Sequence, residues 1–202
     1  MLRTMPAITT LPPGRPSEAR ERLLRTASAI FYAEGVNSIG VDRIVSEARV
    51  TRATFYRHFP SKRDLVLAYL QSVHDAIEKR TTEITAGAEP QAALRAIGED
   101  IGAQVRQKGF RGCAFISIAA EFGDADDPVR QAVAAHRKWF ADLVRKAFTD
   151  AGHARASDAA KHFVMLRDGA MVGGYLGDPA TAARTFRRGL EGLLRTVDEP
   201  RR

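Results

Sequence analysis

Side chains able to donate hydrogen bonds to a polyanion are concentrated in one short stretch of the chain, residues 51–62. They are Thr51, Arg52, Thr54, Tyr56, Arg57, His58 and Lys62. The planar guanidinium of Arg donates paired hydrogen bonds to phosphate oxygens or to the O6 and N7 atoms of guanine. Hydroxyl groups and Lys add contacts to phosphates. Residues of these types at this density favour an interaction with nucleic acid.

The positive charge of the chain lies mainly in its first third. The formal net charge is +7 over 202 residues; residues 1–63 carry 11 Lys and Arg against 5 Asp and Glu, whereas residues 64–202 carry 20 against 19. Arg outnumbers Lys 25 to 6, but a general preference for Arg would raise its number everywhere. A basic N-terminal module on a nearly neutral remainder indicates a polyanionic partner.

Three short helices are predicted around this stretch. Prolines in residues 1–16 predict a flexible arm, after which Ser17 is expected to cap a first helix that stops at Gly35. Apolar spacing predicts a second helix over Val41–Ala48. Thr51 is expected to cap a third helix over Arg52–His58, which ends before a proline.

The rest of the chain shows the same helical periodicity. Ser61, followed three residues later by Asp64, is expected to begin a fourth helix of about six turns. Strand patterns are absent, so the predicted fold class is all-α. Further helices are predicted at 91–108, 112–122, 129–150, 156–176 and 180–197.

A short helix, a tight turn and a second helix rich in Arg, Thr and Tyr form the pattern of a helix-turn-helix. Its outward face carries Arg52, Ala53, Tyr56 and Arg57. Its inward residues are expected to pack against the first helix; they are Ile44, Ala48, Val50, Phe55 and Phe59, facing Ala27, Ile30 and Phe31.

The segment resembles the DNA-binding domain of the tetracycline-repressor (TetR) family of bacterial transcription regulators. The most specific element is the run TFYxHFxSKxxL over residues 54–65, and the close match extends over about residues 18–70. Two positions depart from the family pattern: Arg49 stands in the turn where Gly is usual, and Gly40 stands where a hydroxyl residue often caps the second helix.

The resemblance implies that the third helix contacts double-stranded operator DNA. We expect Arg52 and Arg57 to reach base edges and Arg43 to touch the backbone. Lys62, at the start of the fourth helix, is expected to meet a phosphate. The positions that match the family's phosphate or groove contacts are Thr51, Thr54, Tyr56 and His58. A solvated surface charge is the alternative interpretation of each basic residue.

The resemblance also implies a helix-turn-helix domain over residues 17–63 and an effector-binding and dimerisation domain over 64–198. A partly apolar small molecule would bind among Phe110, Cys113, Phe115, Phe122, His136, Trp139, Phe140, His162 and Met165. Ordinary core packing is the simpler interpretation of most of these residues. A homodimer would form through Phe163, Ala170, Gly173, Gly174, Phe186, Leu190 and Leu193, with intrachain packing as the alternative.

Other classes of protein are disfavoured by the sequence. Phosphate-loop, dinucleotide, HExxH and GxSxG motifs are absent, so we expect neither an enzyme nor a bound cofactor or metal. The single cysteine excludes an intrachain disulfide. Neither a signal peptide nor a membrane span is expected, which favours the cytoplasm. The resulting hypothesis is a dimeric, ligand-released repressor; the alternative is an effector-independent or architectural DNA-binding protein.

Overall fold

The computed structural model describes residues 17–198, with side chains to residue 195, so the predicted N-terminal arm lies outside the described residues. These residues form nine α-helices and no strand, which confirms the all-α prediction. The helices are α1 (Glu18–Glu34), α2 (Val41–Glu47), α3 (Arg52–His58), α4 (Lys62–Thr85), α5 (Pro90–Val105), α6 (Ala114–Glu121), α7 (Pro128–Asp150), α8 (Ala156–Leu176) and α9 (Pro179–Asp198).

Local sequence signals account for most helix ends. Thr51 caps α3, because its Oγ1 accepts a hydrogen bond from the backbone N–H of Thr54 at 3.1 Å. Gly35 ends α1 with a φ of 82° and a ψ of 179°, a combination that is essentially restricted to glycine. The largest difference from prediction is at the end of α5, which stops at Val105, three residues before the expected end. Helix α6 begins two residues later than expected, because Gly112, with a φ of 88°, does not have a right-handed helical conformation.

The core of the helix-turn-helix follows the predicted pattern. Phe55 of α3 is fully buried and Phe59 is nearly so. Helices α1, α2 and α3 contact one another in pairs. Of the predicted inward residues, Ile44, Ala48, Ala27, Ile30 and Phe31 are also buried, whereas Val50 is half-buried.

The turn between α2 and α3 has a regular hydrogen-bonded geometry, although Arg49 stands where the family pattern has Gly. The N–H of Val50 donates to the carbonyl of Val45 at 3.0 Å, and the N–H of Arg49 donates to the carbonyl of Ser46 at 3.1 Å. This hydrogen-bond pair is a Schellman motif, which places its C′ residue in the left-handed region. Arg49 accordingly has a φ of 52°, at a cost of about 1 kcal/mol for a residue with a side chain.

The chain divides into two compact units whose boundaries differ from the predicted 17–63 and 64–198. The first unit comprises residues up to Val73 together with Ser117–Ala135. The second comprises His74–Ile116 together with residues from His136 onward. Helices α4, α6 and α7 therefore contribute residues to both units.

The end of α6 holds the loop that follows α1 inside the first unit. The Glu121 carboxylate accepts hydrogen bonds from the backbone N–H of Val36 at 2.9 Å and of Asn37 at 2.6 Å. Gly35 lies directly beside this carboxylate, and its φ of 82° strains any residue with a side chain. Residues 85 positions apart are thereby joined.

The Glu121→Ala variant is expected to lower the free energy of unfolding of the first unit by about 1–3 kcal/mol, because two backbone N–H groups lose their acceptor. Urea unfolding would measure the change. Glu121→Gln is the matched control, since its amide oxygen still accepts a hydrogen bond and should preserve part of the stability. Equal stability of wild type and Glu121→Ala would contradict a stabilising role for the contact.

The second unit is closely packed around α5, α8 and α9. A Cβ atom at Gly174 of α8 would lie 2.3 Å from Cγ1 of Val105 in α5, so this glycine allows the two helices to approach. A Cβ atom at Gly98 of α5 would similarly lie 2.4 Å from Cδ2 of Leu190 in α9. Small residues on α5 and α8 thus serve packing within the chain.

Candidate functional site

Helix α3 presents one exposed polar face. Arg52, Ala53, Tyr56 and Arg57 are all exposed, as predicted, and the Tyr56 side chain is 50% exposed. Tyr56 rests edge-on against the buried ring of Phe55, with ring centroids 5.1 Å apart. The buried aromatic ring therefore fixes the exposed one, which leaves the phenol hydroxyl available to a ligand.

Arg52 is not a free guanidinium. Its Nε and one terminal nitrogen donate to the two carboxylate oxygens of Asp42 in α2, at 2.5 and 2.6 Å. The hydrogen bond from Arg52 lowers the pKa of the Asp42 carboxyl. Asp42 orients Arg52 along the exposed face, and a base contact by Arg52 requires this pair to open or to rotate.

Arg43 forms more ion-pair hydrogen bonds than Arg52. Its two terminal nitrogens each donate to Glu34 at 2.6 Å, and its Nε donates to Glu47 at 2.8 Å. One guanidinium thus faces two carboxylates, which cancels the local positive charge. The predicted contact of Arg43 with a DNA backbone stays a prediction, and this network weakens its electrostatic basis.

His58, another predicted contact residue, also has a partner within the described residues. Nε2 of His58 lies 3.2 Å from Oγ of Ser17, which consequently caps α1 by its backbone position and not by its side chain. Burial and the nearby charges of Arg57 and Arg20 lower the pKa of His58, which favours its neutral form.

The Lys62 ammonium donates to the carbonyl of Val36 at 2.6 Å, and its pKa is lowered by burial. The side chains of Thr51 and Thr54 also bond to each other, with their hydroxyl oxygens 3.0 Å apart.

Within α2, α3 and the turn between them, two Arg side chains lack a carboxylate partner among the described residues. They are Arg57, at the end of α3, and Arg49, in the turn before it. Arg57 is one of the predicted contact residues, whereas Arg49 is not among them. The local positive charge thus comes mainly from the two ends of α3.

Two family models match the two parts of the chain. Residues 23–69 match bacterial regulatory proteins of the tetR family, and residues 90–190 match the tetracyclin repressor-like C-terminal domain. The chain belongs to the TetR family. Its family and relatives are transcriptional regulators and not enzymes, which confirms that expectation.

Individual relatives agree with the family assignment. A TetR-family transcriptional regulator from Streptomyces coelicolor has a crystal structure that superposes with a TM-score of 0.88 at 48% identity, covering 91% of this chain and 97% of that one. The transcriptional regulator AcuR of Cereibacter sphaeroides is 30% identical over 60% of this chain and 58% of its own length. The repressor NemR of Escherichia coli K12 is 27% identical over 57% of this chain and 60% of its own length. The chain therefore matches about three fifths of these two relatives.

In the second unit of this TetR-family chain, several predicted pocket residues form one aromatic cluster. The buried His136 ring stacks on Phe115 with centroids 3.6 Å apart, and Trp139 lies beside it at 5.5 Å. Nδ1 of His136 is 3.0 Å from Nδ1 of His74, so one ring donates a hydrogen bond through its N–H and the other ring accepts it. His74 was missed, because its neighbour in space lies 62 residues away.

Burial, assisted by the positive charge of Arg167, lowers the pKa of His136 to about 3. Because the unfolded chain binds this proton below about pH 6.5 and the folded chain does not, the free energy of unfolding should decrease as the pH falls from 6.5 toward 3. One such group contributes at most about 1.4 kcal/mol per pH unit. Urea unfolding at pH 7.5 and pH 5 would show the decrease. In His136→Gln it should be smaller, and an identical pH dependence in both proteins would contradict this assignment.

A buried Arg borders the same cluster. Arg167 is 8% exposed; it donates to Asp168 at 2.9 Å and to the Sγ atom of the buried Cys113 at 3.4 Å. Its guanidinium also lies 5.4 Å from the centroid of the Phe140 ring. The sequence contained a signal for this residue, because a charge stands between Phe163 and Ala170 on the apolar stripe of α8.

The remaining predicted pocket residues lie elsewhere. Phe122 belongs to the first unit, so it is not among the residues of the aromatic cluster. Phe110 packs where Gly174 meets Val105, since a Cβ atom at Gly174 would lie 3.5 Å from its Cε1. His162 and Met165 are exposed and line a groove on α8 and α9.

This groove has a volume of about 810 Å³ and mostly apolar walls. Met165 on its wall is 71% exposed, and Leu176, farther along α8, is 76% exposed. Of the predicted dimer residues, Ala170, Gly173, Phe186 and Leu193 line it. Phe163, Gly174 and Leu190 are buried within the chain itself, which favours the alternative of intrachain packing for these three residues; their part in a dimer interface stays a prediction.

Proposed function

We propose that this TetR-family chain is a homodimeric repressor that binds a palindromic operator through α3 and is released by a small molecule. The observation that carries the proposal is the apolar groove on α8 and α9, lined by the exposed Met165, together with the exposed Leu176 farther along α8. Large apolar side chains left in water at one face favour association with a like face. Within residues 17–198, none of the helices combines the length and the apolar character of a membrane span. We place the repressor in the cytoplasm.

A two-fold dimer of this kind reads two half-sites. Helix-turn-helix dimers place their second helices about 34–36 Å apart, one turn of B-DNA, or at a multiple of that spacing. Tyr56 and Arg57 are the side chains of α3 best placed to contact the operator, because they are exposed and Arg57 lacks an ion-pair partner among the described residues. Arg52 joins them when its pair with Asp42 opens.

The operator is tested by incubating purified protein with genomic fragments at moderate salt and footprinting the retained DNA. Protection of a short palindrome with two half-sites is the expected result. Uniform retention that collapses steeply with added salt would indicate backbone binding alone. That result would replace the repressor by an architectural DNA-binding protein.

The effector is proposed to bind at the aromatic cluster around Phe115, His136 and Trp139. Its stacked rings suit a partly apolar ligand, and the adjacent histidine pair offers a donor and an acceptor. Because Trp139 is the single tryptophan of the chain, its fluorescence reports directly on ligands in this region.

Compounds that change Trp139 fluorescence would next be tested for their effect on operator affinity. The effector and the operator must weaken each other's binding by the same factor, and the corresponding coupling free energy is typically about 1–3 kcal/mol. His136→Leu is expected to reduce ligand affinity, whereas His162→Leu, a matched change in the groove, should leave it unchanged. Ligands that bind tightly without altering operator affinity would overturn the proposed release mechanism.

A further inference from the structure

Arg49 occupies the one non-glycine position with a positive φ among the described residues. The two hydrogen bonds that close the turn, from the N–H groups of Val50 and Arg49, place this residue in the left-handed region whatever its side chain is. Glycine adopts that region without strain. The fold therefore gains nothing from an Arg side chain at this position.

The Arg49 side chain also forms no stabilising contact inside the described part of the chain. It is exposed, and no described residue forms an ion pair, a side-chain hydrogen bond or a ring contact with it. Arg43 and Arg52, by contrast, are each held by carboxylates. A strained residue that persists without an internal contact points to an external one.

The place of Arg49 in the helix-turn-helix indicates what that contact is. It follows Ala48, which caps the end of α2, and precedes Thr51, which caps the start of α3. In this motif the first helix crosses the DNA backbone and the N-terminal end of the second enters the major groove. A side chain between these two helix ends is close to the phosphates that border the groove.

We propose that Arg49 binds an operator phosphate beside the N-terminal end of α3, in each subunit of the dimer. This inference rests on the proposed operator binding by α3. Together with Arg57, it supplies the positive charge that the ion pairs of Arg43 and Arg52 cancel elsewhere in the motif. The strained backbone at Arg49 is thus tolerated because the side chain raises the affinity for the operator.

The test compares wild type with Arg49→Gly, Arg49→Asn and Arg49→Lys at several salt concentrations on the footprinted operator. Gly and Asn both tolerate a positive φ and both lack the charge, so each should lower operator affinity about 10-fold or more. The slope of log affinity against log salt should fall by about 2 for the dimer, one for each lost phosphate contact. Lys keeps the charge and should preserve the slope.

Stability should change in the opposite direction. Arg49→Gly relieves the strained φ, so its thermal midpoint is expected to rise by about 2–4 °C. A loss of affinity in a more stable protein cannot be caused by unfolding. Arg187→Ala, which removes an exposed Arg of α9, is the control for the change in net charge and should leave the slope unaltered.

The outcomes separate this inference from the function on which it rests. If wild type protects no specific site, operator binding itself is wrong. If wild type protects a site and Arg49→Gly and Arg49→Asn bind it with the wild-type affinity or the wild-type salt slope, the phosphate contact is wrong and operator binding stands.

Discussion

A variant that carries Met165→Glu and Leu176→Glu is expected to be monomeric and to bind the operator at least about 100-fold more weakly than wild type. Each dimer would bury four carboxylates in an apolar interface, and unpaired buried charges are strongly unfavourable. A monomer also loses the second half-site, whose tethering contributes a factor of about 10²–10⁴. Sedimentation and fluorescence anisotropy with labelled operator would measure the two effects.

Ala134→Glu is the matched control for this variant, because it adds a carboxylate at an exposed position of α7 in the first unit. It should remain dimeric and bind the operator normally. A Met165→Glu and Leu176→Glu protein that is still dimeric would show that the groove on α8 and α9 is not the dimer interface.

Phe55→Ala is expected to lower the free energy of unfolding of the first unit by about 3–5 kcal/mol, because it empties a fully buried position between α1, α2 and α3. Operator binding should be lost with the fold. Unfolding in urea, followed by circular dichroism, would measure the change in stability.

Tyr56→Ala is the informative comparison, since it removes the adjacent aromatic ring from the opposite, exposed face of α3. It should change stability by less than about 1 kcal/mol, the range of ordinary surface substitutions. It should lower operator affinity about 10-fold, which corresponds to about 1.4 kcal/mol. Equal affinity of Tyr56→Ala and wild type would remove Tyr56 from the DNA contacts.

The sequence was most informative where structure depends on near neighbours. The bounds of α3 follow from the Thr51 cap and from the proline after the helix, and both signals lie within a few residues of the helix ends. The burial of Phe55 and the exposure of Tyr56 follow from helical periodicity alone. Such features need no knowledge of the rest of the chain.

Features that depend on distant parts of the chain were not predictable in this way. The Glu121 carboxylate meets Val36 only after α6 has been placed, and the His74–His136 pair joins two different helices. The pairing of Arg52 with Asp42 depends on the angle between α2 and α3. Periodicity marks Gly174 and Phe163 as one face of α8, but it does not say whether α5 or a second subunit covers that face.

Because α4, α6 and α7 each contribute to both units, a single cut of the chain does not separate the two units. A fragment that ends near residue 63 would keep every predicted DNA-contacting residue and yet lack Glu121, the acceptor for the N–H groups after α1. Domain exchange with a related regulator must therefore transfer residues 117–135 together with the N-terminal segment. Each unit is thus built from separate pieces of chain, and if the proposed effector binding holds, a new effector specificity is gained more simply by substitutions within the second unit than by exchange of a C-terminal module.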